Sequence, residues 1–213
     1  MPLIVQNLVA RAMASQIDVC DQPDSTTLAY IANPDLPRGA RVPNVRKRLE
    51  RYNVLQGFTH AKRDAVANAL IDFASQPGNM SYANGVNDIQ IIFKKYKELY
   101  AIFQGRLSSK QDVISLTSKA LWFCFPHDVV LYDSFVQRSL WVLSKLLRLP
   151  PLAGDNDYEI YANTWFSIYN LPGVYAALNA GIAAYNLQHG TAYNYELRVF
   201  DKILWDIGRA EYV

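Results

Sequence analysis

The sequence predicts an all-α protein, a globular bundle of about ten helices, and three observations carry that expectation. Apolar residues recur at three- and four-residue spacing through most of the chain, as in Leu197, Phe200, Ile203, Leu204 and Ile207. Stretches with that spacing are separated by short clusters of turn residues, such as Gln76-Pro77-Gly78-Asn79. No run alternates apolar and polar residues convincingly, no hairpin dipeptide lies between such runs, and no internal repeat is evident.

The elements follow in order. Leu3, Ile4, Leu8, Ala12, Met13 and Ile17 place an amphipathic helix at the start of the chain. A short helix from about Ser25 to Ile31, capped by Asp24 or Ser25, ends near Asn33-Pro34. Asp35-Leu36-Pro37-Arg38-Gly39 reads as a turn-rich loop, with Pro43 in the first turn of a helix that runs through Leu49. Residues 59–75 form the next helix, with Ala65, Val66, Ala69, Leu70 and Phe73 on one broad face. Asn87 or Asp88 opens a helix carrying Ile91, Ile92, Tyr96, Leu99 and Phe103 toward Gly105. From about Gln111 to Cys124 another places Val113, Leu116, Ala120 and Phe123 on one stripe, and Pro126-His127-Asp128 breaks it. After the apolar link Val129 to Tyr132, Asp133 or Ser134 opens a helix that ends before Pro150-Pro151. Three more follow, over 156–169, 172–188 and 194–208.

A chain of 213 residues fits a single all-helical domain over 1–213, or two closely packed lobes. Its hydrophobic fraction of 51% against 19% charged residues excludes disorder. The net charge of +2 gives no overall basic field, so binding to nucleic acid has to rest on local clusters. Two are present. Arg38, Arg41, Arg46, Lys47, Arg48 and Arg51 are opposed within their segment only by Glu50; Lys94, Lys95 and Lys97 form the second, with Arg106 and Lys110 shortly after. The fourteen tyrosines and four tryptophans suit a thick core and equally a pocket for planar ligands.

Cys20 and Cys124 cannot build a disulfide framework, and Cys124 lies in the apolar run Leu121 to Phe125. His60, His127 and His189 are scattered, without a second ligand at a metal-binding offset. No Walker loop, dinucleotide fingerprint, nucleophile elbow or iron–sulfur cysteine set is present. The expectation is therefore no metal, no cofactor and no disulfide-linked partner. With no signal-peptide pattern and no apolar stretch of membrane-spanning length, the chain reads as a monomer without a membrane partner, cytoplasmic or, in a eukaryote, nuclear.

Chemistry concentrates between Ser118 and Val136. A lysine-bearing helix runs into the turn at Pro126, and a short apolar link delivers Asp133 to the mouth of the next helix in Tyr132-Asp133-Ser134-Phe135-Val136. This segment resembles the catalytic segment of helix-hairpin-helix DNA glycosylases, where an aromatic or aliphatic residue precedes Asp, a small polar residue, a variable position and Val. Arg198 to Trp205 also resembles the last helix of small bacterial proteins that carry the Tyr-Asp-Ser segment. The resemblance implies a helix-hairpin-helix glycosylase fold with DNA as partner, and an enzyme that flips a damaged or modified base and hydrolyses its N-glycosidic bond, in repair or against modified phage DNA.

Carried onto this chain, the resemblance makes Asp133 the catalytic carboxylate. A carboxylate near the anomeric carbon stabilises the oxocarbenium-like sugar and can orient the attacking water. Lys119 matches the hairpin lysine that attacks the sugar in bifunctional members. Trp122, Tyr132, Trp165 and Tyr169 are the nearest candidates for an aromatic base pocket, and Arg38, Arg41, Arg46, Lys47, Arg48, Arg51, Lys94 and Lys95 for the DNA-binding surface. Two departures point to simple excision without lyase chemistry. Lys119 lies only 14 residues before Asp133, and Asp112-Val113-Ile114-Ser115-Leu116-Thr117 replaces the glycine-rich hairpin turn. The alternative is a non-catalytic helical module, binding nucleic acid or protein, in which Asp133 is only a helix cap.

Overall fold

A computed structural model describes residues 7–14, 30–79, 88–107, 113–151 and 154–210. Every regular element among them is helical. Eight helices have defined bounds: α1 (Arg38–Arg51), α2 (His60–Ser75), α3 (Ile89–Leu107), α4 (Ile114–Cys124), α5 (Ser134–Leu146), α6 (Asp157–Tyr169), α7 (Val174–His189) and α8 (Glu196–Ala210). Residues 7–14 and 30–32 are also helical. The expected contributions of Leu3, Ile4, Ile17, Cys20, Asp24, Ser25, Asn87, Lys110, Gln111 and Asp112 lie outside the described residues.

Contacts divide the chain into two compact units, a middle unit of Gln22–Leu131 and a terminal unit of Met1–Asp21 with Tyr132–Val213. In the middle unit α1 packs on α2, α2 on α3 and α3 on α4. Val45, Leu49, Val66, Leu70, Phe73, Leu99 and Phe103 are buried there, at three- and four-residue intervals within each helix. In the terminal unit α8 packs most extensively on α5, and α5 on α6.

Local chemistry fixes most helix ends. The Thr59 side chain accepts from the Lys62 N–H to start α2, and Gly78 turns the chain after it at φ +82°. Asn156 and Glu159 form a reciprocal cap on α6: Asn156 accepts from the Glu159 N–H, and the Glu159 carboxylate accepts from the Asn156 side-chain amide and the Asp155 N–H. Gly190 ends α7 in the left-handed region.

The α5 terminus is unusual. The Leu149 N–H bonds the Ser144 carbonyl and the Arg148 N–H bonds that of Lys145, the two bonds of a Schellman motif. The left-handed position, where glycine is normal, holds Arg148 at φ +52°, at a cost of about 1 kcal/mol.

One boundary departs from the sequence expectation. Helix α1 begins at Arg38, with Pro37 in extended conformation as its N-cap, so Pro43 lies inside the helix and not in its first turn. Proline there removes one hydrogen bond to the Gly39 carbonyl. Gly39 is exposed, so water can reach that carbonyl and the helix continues.

Candidate functional site

Asp133 is the first residue of interest in the terminal unit. Its backbone is extended, its Oδ1 accepts from the Phe135 N–H at 3.0 Å, and its carbonyl accepts from the Gln137 N–H. The carboxylate is thus the N-cap of α5, and the residue is only partly buried. Capping alone does not exclude a second role for the carboxylate.

Around it the sequence builds a small polar network in an apolar setting. Tyr161 reaches in from α6, where Tyr158, Tyr161, Ala162, Trp165 and Ile168 form the buried stripe. Its ring lies 4.8 Å from that of Tyr132. Burial holds the Tyr161 hydroxyl well above the usual phenol range; the charges of Asp201 and Asp133 push the same way, and a hydrogen bond from the Asp133 backbone opposes them. Asp201 is itself buried on α8 and ion-paired one turn back to Arg198. The result is a partly exposed carboxylate near a buried phenol that stays protonated.

Sequence reasoning missed Tyr161, Arg198 and Asp201 as members of this network. A signal for the last two was present. Arg198 and Asp201 are one turn apart, and Asp201 sits on the stripe with Leu197, Phe200 and Leu204, where an unneeded charge is expensive.

Several expected site residues require correction. Trp122 (1% exposed) and Trp165 (0%) are core rings and cannot line an open pocket. Trp122 packs on Tyr52 and Phe123, and Trp165 on Tyr169, Phe166 and Phe200. Tyr169 is also buried, and burial raises its hydroxyl above the usual range. Of the four aromatic candidates, Tyr132 alone is partly exposed.

The basic segment is also reassigned in part. The Arg41 guanidinium is 7% exposed and donates to the carbonyls of Tyr30 and Ile31, bracing the preceding loop. Lys95, 6% exposed, donates to the Gly78 carbonyl and to Asn79 Oδ1, both at 3.1 Å, pinning the α2–α3 connection. Burial lowers the pKa of both. Arg38 pairs with Asp72, which Arg106 also contacts, and Arg46 pairs with Asp64. Lys47, Arg51 and Lys94 are exposed, and Arg48 is partly so.

Lys119 is partly exposed in the middle unit, in a cleft of about 290 Å³ shared with Tyr52, Asn53, Gln56 and Ser115. Asp133 and Lys119 belong to different units.

No group of three or more His, Cys, Asp or Glu side chains among the described residues could hold a metal ion. Among those residues no helix is long and apolar enough to cross a membrane. No protein-family model, curated protein or solved structure matches the chain.

Proposed function

We propose that the protein is a DNA N-glycosylase-like enzyme that flips a damaged or modified base and hydrolyses its N-glycosidic bond, with Asp133 as the catalytic carboxylate. One observation carries the reading: a partly exposed carboxylate, fixed at the mouth of α5, lies next to the Tyr132–Tyr161 ring pair. Cleavage develops positive charge on the sugar, and a preorganised carboxylate stabilises it more strongly in an apolar surround than in water. Tyr132 is the ring in position to touch an extruded base. Lys47, Arg48, Arg51 and Lys94 are the cations offered to phosphates. The biological setting in this reading is repair, or attack on modified phage DNA.

Simple hydrolysis is favoured over lyase chemistry by the short Lys119–Asp133 spacing and the missing glycine hairpin. The test is abasic-site formation on a panel of modified DNAs, with borohydride added in a parallel arm. Excision without a trapped covalent complex is the expected result, and trapping on Lys119 would reassign the mechanism. A non-catalytic nucleic-acid-binding or protein-interaction module is the second reading. It is favoured by the ion pairs of Arg38 and Arg46, which reduce the charge that α1 offers to DNA. In that case no modified DNA yields an abasic site.

A further inference from the structure

The terminal unit contains a second feature, which starts near Tyr161 and Gln137 and extends away from Asp133 along α5. A cleft of about 510 Å³ opens between the C-terminal half of α5 and the start of α6, a volume suited to a small ligand. Trp141, Lys145 and Arg148 line one wall, and Asp157, Ile160 and Tyr161 belong to the other. Arg148 follows Asp133 by 15 residues along α5 and its cap, which separates the two by about 20 Å.

Three properties of the cleft call for explanation together. Trp141 is 62% exposed, although Lys145 Nζ sits 4.0 Å from its ring centroid. An indole left open in this way is a stacking platform and a poor surface ornament. Neither Lys145 nor Arg148 has an ion-pair partner among the described residues, in contrast to Arg38, Arg46 and Arg106 of the middle unit. Finally, Arg148 occupies the left-handed position that glycine would fill without strain. A guanidinium kept at a strained position beside an open indole is explained by what it binds.

We propose that this cleft is a nucleotide subsite, in which an unpaired base stacks on Trp141 while Lys145 and Arg148 hold its phosphate. A flat base matches the indole face, and a phosphate matches two cations without an ion-pair partner among the described residues, Lys145 one turn further along α5 and Arg148 just past its end. Asp157 on the opposite wall supplies an acceptor for an exocyclic amine or a hydroxyl. Paired bases in a duplex have no open face to offer, so the ligand is either a free nucleotide or a nucleotide within a single strand. The subsite does not depend on Asp133 or on catalysis.

Binding of the intact chain to fluorescein-labelled twelve-residue oligothymidylate, to the same strand paired with oligodeoxyadenylate, and to thymidine monophosphate as competitor distinguishes these sources. Unmodified thymidylate is not a cleavage substrate, so this binding can fail while excision at Asp133 succeeds, and the reverse. Expected is salt-dependent binding of the single strand over the duplex, weakened about tenfold by Trp141→Ala and less by Trp141→Phe. Arg148→Gly is the deciding variant: it relieves the strained position, so its Tm should match or exceed that of the wild type while the salt slope falls by about 0.7. Competition by the monophosphate with the same variant sensitivity supports the subsite with the free nucleotide as its ligand. Absence of binding to single strand and monophosphate, or affinity unchanged in Trp141→Ala and Arg148→Gly, overturns the proposal.

Discussion

Gly208 of α8 passes so close to Phe135 of α5 that a Cβ on Gly208 would lie 2.7 Å from the Phe135 carbonyl carbon and 2.7 Å from Ser139 Oγ. The obstructing group is backbone, so it cannot rotate away. Ser139 Oγ also donates to the Leu204 carbonyl across the same crossing. This contact sets the separation of α5 and α8 two residues after Asp133. Gly208→Ala should therefore lower stability by about 2 kcal/mol or more, read as a drop in denaturation midpoint. It should also reduce any Asp133-dependent activity more than Gly105→Ala, since an added Cβ at exposed Gly105 meets nothing within 4 Å.

The Arg198–Asp201 pair is buried beside Tyr161. Removing one partner leaves the other charge uncompensated in the core. Asp201→Asn should cost about 3 kcal/mol in a denaturant titration. Near-ultraviolet circular dichroism should register the change, because Tyr161 packs on Tyr132 and Tyr158.

The cations of the middle unit should separate into two groups by measurement. Arg41→Ala and Lys95→Ala leave buried carbonyl and amide acceptors without donors and should each lower stability by about 2 kcal/mol. Lys47→Ala and Arg51→Ala, at exposed positions, should leave the midpoint within about 0.5 kcal/mol of the wild type. If α1 contacts DNA, these two variants should each lower the slope of log binding constant against log salt by about 0.9.

Alkaline pH supplies a further test. Burial pushes the Cys124 thiol up to about 12 from its ordinary 9.0, so the folded chain keeps a proton that the unfolded chain sheds. A folded pKa above the unfolded one means stability is intact below pH 9 and declines as pH rises beyond it. Tyr161 and Tyr169 act in the same direction. Lys95 acts in the opposite one, because its lowered pKa makes folding more favourable as pH rises toward 10.5. Cys124→Ala should reduce the stability lost between pH 8 and pH 10 by about 1 kcal/mol, measured from denaturation midpoints.

Helices and their caps were legible in the sequence because their causes are local. The Asp133 cap, the start of α6 near residue 156 and the stop after Ser75 depend on side chains within four residues of the boundary. The missed boundary at Arg38 shows the limit, since Pro43 lies inside α1 with the Gly39 carbonyl left without its N–H partner at an exposed position. Partners distant in sequence were not legible. Arg41 and Arg46 look alike along the chain, yet one turns inward to the carbonyls of Tyr30 and Ile31 while the other meets Asp64 of α2. The same applies to Trp122 and Trp165, whose rings suit a pocket by chemistry and a core by position. Exposure of Trp141 could not be read from spacing, because the residue lies within an apolar run.

If Asp133 acts on the N-glycosidic bond in addition to capping α5, Asn and Ala at this position separate the roles, because Asn caps a helix nearly as well as Asp whereas Ala loses about 1 kcal/mol. The decisive measurement is the single-turnover rate of base release from a modified DNA that the wild type cleaves, with Tm recorded for each variant. Asp133→Asn should keep the wild-type Tm while losing about a hundredfold or more in rate, and Asp133→Ala should lose both. Base release by Asp133→Asn at the wild-type rate would leave Asp133 as a cap alone and contradict the proposed catalytic role.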